Sequence, residues 1–277
     1  MQRETPASHH YVLGNHPDEL ARLDQQAAAI ERPTRLLLQA AGLAPGMRVL
    51  DLGTGLGHVA RIVADIVGPA GQVVGIDRSP DALAAARGRT RQADLAHVSF
   101  HEADATDWRA DAGFDAIVER LLLFHAADAT ALVAHHVEAN LRPGGTFVAI
   151  DFDIGASRAE PAVPLAGSAI DWILRAFRAA GAHPRIGATL GLVLDAAGLV
   201  DVRTFGVQAY LMPHDPAGPA LLAGVVRSLS PAILQHGIAT AEEMELSTLQ
   251  QRLTDAAREA NAVILPPTVS GAWGRRP

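Results

Sequence analysis

From residue 47 to 152, short apolar runs alternate with amphipathic segments, a rhythm that predicts β-α-β units around a mostly parallel sheet. The run MRVLDL predicts a first strand and VARIVADIV its helix. GQVVGID predicts the second strand, and SPDALAAARGRTRQ a helix with Ser79 as N-cap, Pro80 at its first position and Asp81 in its first turn. HVSFHEAD and FDAIVE predict the third and fourth strands, DATALVAHHVEANL a helix, and GGTFVAIDFD the fifth strand after an RPGG turn.

After residue 153 the rhythm changes. GSAIDWILRAFRAAG and ATLGLVLDAAGL predict helices, VDVRTFGVQAYLM a strand, and VILPPTVSGAWGR a closing extended segment. Residues 211–259 predict a helical tract inserted between two strands, far longer than an ordinary connection, and insertions of that size often form lids. The N-terminal PDELARLDQQAAAIERPTRLLLQAAGL also predicts helix, expected as a second cover over the same end of the sheet. The expected division is 1–45 as helical cover, 46–153 as ligand-binding core, and 154–277 as the rest of the α/β domain with the lid at 211–259.

Composition narrows the chemistry. With 277 residues, 49% of them hydrophobic and 19% charged, the chain can bury a large core. It has no cysteine, which removes disulfides, thiolate zinc sites, iron–sulfur clusters and thiolate nucleophiles together. The twelve histidines include the adjacent pairs His9–His10 and His135–His136, which on a helix lack the i, i+4 spacing a chelate wants, so no metal is expected. A net charge of −7 gives no general attraction to nucleic acid or anionic lipid. The N-terminal stretch is polar without an apolar leader, and no later run of about eighteen apolar residues was found, so the chain is expected to be cytoplasmic and off the membrane.

The stretch VLDLGTGLG places Gly53, Gly55 and Gly57 at alternate positions between a strand and a helix, where backbone N–H groups can meet a ligand. A dinucleotide fingerprint would need glycine where His58 stands. The pattern is instead Asp51 two residues ahead of G-x-G-x-G. VLDLGTGLG resembles the first motif of the class I S-adenosylmethionine-dependent methyltransferases. VVGIDRS is similar to that family's second-strand motif, HEADATD to its third-strand acid, and LRPGGTFVAID to its fifth-strand segment. The flanks YVLGNHPDELARLDQQA and GAWGRRP resemble a subset of bacterial small-molecule methyltransferases. The resemblance implies an α/β, doubly wound, mostly parallel seven-stranded sheet of the Rossmann-like methyltransferase type, with S-adenosyl-L-methionine as cofactor and S-adenosyl-L-homocysteine as product.

It also assigns residues. Asp51, Gly53, Thr54, Gly55 and Gly57 form the loop station, and Asp77 with Arg78 the second-strand station. Asp77 can accept from ribose hydroxyls, or be a solvated carboxylate beside a helix N-terminus. Asp104 can accept from the adenine amino group while the Ala105 N–H meets a ring nitrogen, or Asp104 can cap the turn ATDW. Arg120 can hold the cofactor's carboxylate, or pair with Glu119, Asp115 or the N-terminal helices. Gln26 can reach the same carboxylate if the N-terminal helix folds over the site, or be a plain exposed glutamine, and Tyr11 is expected at the site from the N-terminal segment.

Methyl transfer neutralises the sulfonium charge, so alignment and water exclusion can supply much of the acceleration. A phenol-like acceptor would also need a base. His125 and Asp153 are the candidates; His125 has a structural alternative at a helix start near Asp128, and Asp151 with Asp153 could instead hold a divalent cation. The acceptor is expected to be a small, mostly apolar metabolite methylated on oxygen, nitrogen or carbon, with a homodimer allowed for. The competing readings are a cofactor-binding sensor, a nicotinamide oxidoreductase, and a nucleic-acid methyltransferase, the last disfavoured because ERLLLF follows the fourth strand.

Overall fold

A computed structural model describes residues 17–277, with side chains from residue 27. Its elements run α1 Pro17–Ala40, β1 Arg48–Leu52, α2 His58–Val67, β2 Gln72–Asp77, α3 Pro80–Gln92, β3 Val98–Glu102 and β4 Phe114–Arg120. Next come α4 Ala129–Ala139, β5 Leu141–Asp153, β6 Arg158–Glu160, α5 Pro164–Ala179, α6 Leu190–Ala196 and β7 Val200–Val207. The chain closes with α7 Ala217–Gln235, α8 Ala241–Met244, α9 Leu249–Glu259, β8 Val263–Leu265 and β9 Thr268–Arg275. The strands expected between 47 and 152 all form; β5 extends back through RPGG, and β3 is shorter than its apolar run.

Seven strands make one sheet in the order β3-β2-β1-β4-β5-β9-β7. The first five are parallel, and β9 lies antiparallel between β5 and β7. Both faces are covered, as parallel strands with near-continuous apolar sequence require. Side chains alternate across the sheet. Leu50, Leu52, Ile117, Phe147 and Ala149 enter one core with α4, α5, α6, α7 and α9. Val49, Val118, Val148 and Ile150 enter the other with α1, α2 and α3.

Local signals place the helix starts. Ser79 accepts the Ala82 N–H at 3.3 Å with Pro80 in the first turn of α3, as its sequence predicts. Asp128 caps α4 by accepting from Ala131 N–H at 2.9 Å, so His125 lies in the turn before that helix. β1 sends its chain to the α2 face and β4 to the α4 face. The strand order reverses between these two neighbours, opening the crevice where doubly wound sheets bind ligands.

The tract expected at 211–259 forms α7, α8 and α9 between β7 and β8. α7 packs on α5 and α9 through Leu222, Val226, Leu229 and Ile233. It corrects one expectation from the apolar pattern: by length and composition α7 could cross a membrane. Its packed face and the charge at Arg227 fit a core helix of this fold. β6 and β8 form a separate antiparallel ribbon that ties the bases of the two insertions together, Ala159 opposite Ile264.

Near the β5 end, space is tight. A Cβ on Gly187 would lie 2.5 Å from the Asp153 backbone nitrogen and 2.8 Å from the Phe152 carbonyl oxygen, so the turn Ile186–Ala188 can sit on β5 only with glycine there. Gly187→Ala is expected to lower stability by about 1–3 kcal/mol through this overlap. The urea midpoint should fall with the slope unchanged.

Candidate functional site

Gly53, Gly55 and Gly57 all take positive φ, at 65°, 50° and 76°. Their surroundings separate their roles. A Cβ at Gly53 would meet Leu122 Cδ1 at 3.1 Å, and one at Gly57 would meet Ala86 Cβ at 3.0 Å and Phe100 Cζ at 3.3 Å. At Gly55 only the Gly53 carbonyl oxygen comes near, at 4.0 Å. The outer two glycines admit protein; the middle one faces open space.

Backbone and side-chain hydrogen bonds stitch three strand ends around that space. Asp77 accepts the Gly55 N–H at 2.8 Å on one carboxylate oxygen and the Ser79 N–H at 2.9 Å on the other. The Asp77 carbonyl accepts the Ala103 N–H at 3.0 Å, bringing the end of β3 beside the end of β2. Thr54 N–H donates to the Ile76 carbonyl at 2.9 Å, and Thr54 Oγ1 donates to Asp51 Oδ2 at 2.5 Å. Asp51 is buried, and loss of water lifts its pKa to about 7 despite the Thr54 hydroxyl and Arg120.

Asp104 fills the capping role weighed for it. Its Oδ1 accepts from both the backbone N–H and the hydroxyl of Thr106, at 2.9 and 2.8 Å, which lowers its pKa. Its second oxygen has no hydrogen bond among the described residues. The Ala105 carbonyl is held at 2.7 Å by His136 Nε2, and His136 Nδ1 accepts from Asn140 Nδ2 at 2.8 Å. This fixes the tautomer with the proton on Nε2. Burial pushes the His136 pKa down to about 4. His135 and His136 are thus a clamp for the loop after β3, a use their adjacency did not signal.

Arg120, at the end of β4, donates to Thr34 Oγ1 of α1 at 3.0 Å, and Thr34 donates onward to the Ile30 carbonyl at 2.7 Å. This is the contact to the N-terminal helices weighed for Arg120. Desolvation lowers its pKa to about 10 against the pull of Asp51 and Glu31, leaving it charged. A guanidinium has five donors, so capacity remains for an anion. Gln26 falls in α1 with its side chain outside the described residues, and Tyr11 lies outside them altogether.

His125 ends the turn Leu123–His125, exposed, its ring edge-on to Phe124 at 4.9 Å. Desolvation and then the charge of Arg78 lower its pKa, so the imidazole is neutral near pH 7. Asp151 and Asp153 share a face of β5 but not a role. Asp151 is fully buried and accepts the Phe124 N–H at 3.0 Å. Asp153 keeps its Oδ1 buried without a hydrogen bond, with Arg185 Nε at 3.9 Å, beyond bonding distance. Among the described residues, no group of three His, Cys, Asp or Glu could hold a metal.

Glu119 went unassigned from sequence except as a partner for Arg120. It is buried on the opposite face from Arg120, accepting the N–H groups of Leu122, Leu123 and Ile150 at 3.1, 3.3 and 3.1 Å. An acid inside the apolar run AIVER was the available signal.

A doubly wound sheet that parts at its switch point, with an unobstructed glycine in the loop there, is the architecture in which such folds bind ligands. Comparison with known proteins specifies the class. Residues 43–172 match a family model described as a methyltransferase domain. Nocamycin O-methyltransferase of Saccharothrix syringae is 32% identical over 201 residues, covering 67% of this chain and 71% of that protein. An uncharacterized 37.1 kDa transposon protein of Streptomyces fradiae is 34% identical over 134 residues, where the match spans 48% of this chain and only 38% of that protein. A putative methyltransferase structure from Bacillus halodurans C-125 shares the fold with a TM-score of 0.55, 18% identity, and coverage of 88% of this chain and 99% of that one. The chain belongs to the class I S-adenosylmethionine-dependent methyltransferases, whose cofactor is S-adenosyl-L-methionine. The residues present fit that group: Gly55 leaves room for close approach, and Asp77 and Asp104 retain lone pairs for hydroxyl and amino donors.

The buried acid beneath the glycine loop sets a pH dependence. Because the folded Asp51 pKa is raised, its contribution to stability is fully present below about 4 and is lost as pH rises through about 7. The slope from this one group is at most about −1.4 kcal/mol per pH unit. His136, lowered instead, acts in the opposite sense below its ordinary value. Urea unfolding between pH 5 and 8 should show a shallower loss in Asp51→Asn than in the parent chain.

Proposed function

We propose that this enzyme transfers the methyl group of S-adenosyl-L-methionine to an oxygen, nitrogen or carbon atom of a small, mostly apolar metabolite, in a pocket covered by α5, α7, α9 and the N-terminal segment. The open Cβ position at Gly55, whose N–H is held by Asp77 at 2.8 Å, is the observation that carries this reading. The nocamycin O-methyltransferase relative supports a small-molecule acceptor. The proposed organisation is a cover at 1–45, a cofactor core at 46–153 and an acceptor half at 154–277. A cytoplasmic homodimer without nucleic-acid partners completes it.

When bound, the cofactor supplies a sulfonium methyl whose transfer in line to a nucleophile removes a positive charge. In this reading Asp77 takes the ribose hydroxyls, Asp104 and the Ala105 N–H the adenine edge, and Arg120 the carboxylate, with Thr54 and Arg78 flanking. Burial of the acceptor under the insertions excludes water and holds the reacting atoms in line. The neutral His125 takes the proton of an acidic acceptor, and Asp153, with an oxygen lacking a donor, is the second candidate. Family membership favours this over hydride transfer or sensing alone.

Two measurements test the cofactor half. Gly55→Val should abolish calorimetric binding of S-adenosylhomocysteine in a chain that still folds, because both the positive φ and the approach are lost. Asp77→Ala should weaken binding by about 1.5–3 kcal/mol; unchanged affinity in both would overturn the assignment. For the acceptor half, an acceptor identified with labelled cofactor and a metabolite extract should lose about 10²–10⁴ in kcat in the variant lacking the base, His125→Ala or Asp153→Asn, with cofactor affinity kept. If both variants keep kcat and the same pH profile, alignment alone carries the reaction.

A further inference from the structure

Two buried acids have no part in cofactor or acceptor binding. Glu119 of β4 and Asp151 of β5 are both fully buried, on the same face of neighbouring parallel strands. Both point into the core that holds Ile117 and Ala149, whereas Arg120 and Asp51 lie on the opposite face, where Arg120 meets α1. The acids therefore face one another without a buried cation between them among the described residues.

Both are aimed at one short segment. Three consecutive amides of the turn after β4 point at the pair: Leu122 and Leu123 N–H donate to Glu119 Oε2, and Phe124 N–H to Asp151 Oδ2 at 3.0 Å. Glu119 Oε1 also takes the Ile150 N–H, and Asp151 Oδ1 the Phe152 N–H at 3.2 Å. The segment starts at Leu121, a non-glycine residue held at φ 61°, a conformation that costs energy unless its surroundings impose it. The segment then places Leu122 against Gly53 and ends at His125. A change in how the pair holds this turn is felt at the glycine loop and at the candidate base together.

Two carboxylates side by side in a low-dielectric core cannot both be ionised cheaply; one keeps its proton. Burial raises both acids, and Asp151 adds to the rise at Glu119. The titratable or charged groups nearest the turn are His125, on which the charge of Arg78 acts, His183 and Arg185 on the segment whose His183 N–H donates to the Phe124 carbonyl at 2.8 Å, and Asp153 farther along β5. α4, packed on β5, adds Glu138 and the pair His135 and His136, which hold the loop after β3. His125 is neutral near pH 7, and Arg185 has Asp153 as its near charge.

We propose that Glu119 and Asp151 are positioning residues that act as a proton-holding clamp, seating the turn Leu121–His125 against the glycine loop while one carboxyl keeps its proton. Loss of that proton to solvent leaves two like charges repelling across the two strands, and the turn loosens. The effect on cofactor rests on the binding site proposed above; the effect on the turn does not.

The test follows amide exchange of Leu122, Leu123 and Phe124 in the full-length protein from pH 6 to 9, as protection factors corrected for intrinsic rate, with β4 and β5 core amides other than Ile150 and Phe152 as reference. Relative to the reference amides, protection of the three turn amides should fall by about tenfold or more across the range, one decade per 1.4 kcal/mol. The Kd of S-adenosylhomocysteine should rise over the same interval. Asp151→Asn and Glu119→Gln each keep an oxygen acceptor and leave one acid without a like-charged neighbour. In either variant the pH dependence of turn protection should flatten, with each variant read against its own value at pH 6 because the new NH2 faces one of the N–H groups the carboxyl accepted. A flat profile in the parent chain, or a variant profile that overlays the parent's, overturns the clamp. If the variants do not fold, the parent profile decides. If the turn responds to pH but S-adenosylhomocysteine binds at no pH, the clamp stands and the cofactor site is what fails.

Discussion

Backbone amides at the crevice must find acceptors after the strands part. β1 and β4 are hydrogen-bonded neighbours that leave toward opposite faces, and beyond the split neither can complete the other's ladder. The chain answers with carboxylates. Asp77 takes the amides of Gly55 and Ser79, Glu119 those of Leu122, Leu123 and Ile150, Asp151 those of Phe124 and Phe152, and Asp104 that of Thr106. Each loop around the ligand space is thereby held by a short side chain from an adjoining strand end.

That solution carries an electrostatic cost and a use. Desolvation raises Asp51, Glu119 and Asp151, so the core beneath the crevice favours protonated acids. Asp77 and Asp104 lie nearer solvent and keep lone pairs for a ligand. Depth alone thus divides five loop-holding acids into three that are fully buried and two, Asp77 and Asp104, that are open toward solvent. The same sorting separates Asp151 from Asp153, two residues apart on one face of β5.

The second half of the chain is organised around a different need. β7 and β9 complete the sheet with α6 packed on them, while the segments before α6 and between β7 and β9 leave it to form the α5, α7 and α9 group. The β6–β8 ribbon joins segments about a hundred residues apart, so the two insertions act as one body of packing rather than as independent loops.

The sequence by itself determined the layering and the succession of strands and helices from residue 47 to 152. Alternating apolar runs marked the five parallel strands, Ser79-Pro80 and Asp128 marked helix starts, and the glycine spacing with Asp51 and Asp77 marked the crevice. These are local signals, carried by propensity, periodicity and capping over a few residues. What tertiary structure decided was which of several polar side chains meet. Nothing local distinguishes Gly55, facing open space, from Gly53, closed by Leu122, because the difference is made by a residue in the turn after another strand. Nothing local tells Glu119 from Arg120, although consecutive strand positions fall on opposite faces, one under the turn and one against Thr34 of α1. Periodicity gives the face of a residue; the partner on that face comes only from the way distant segments pack.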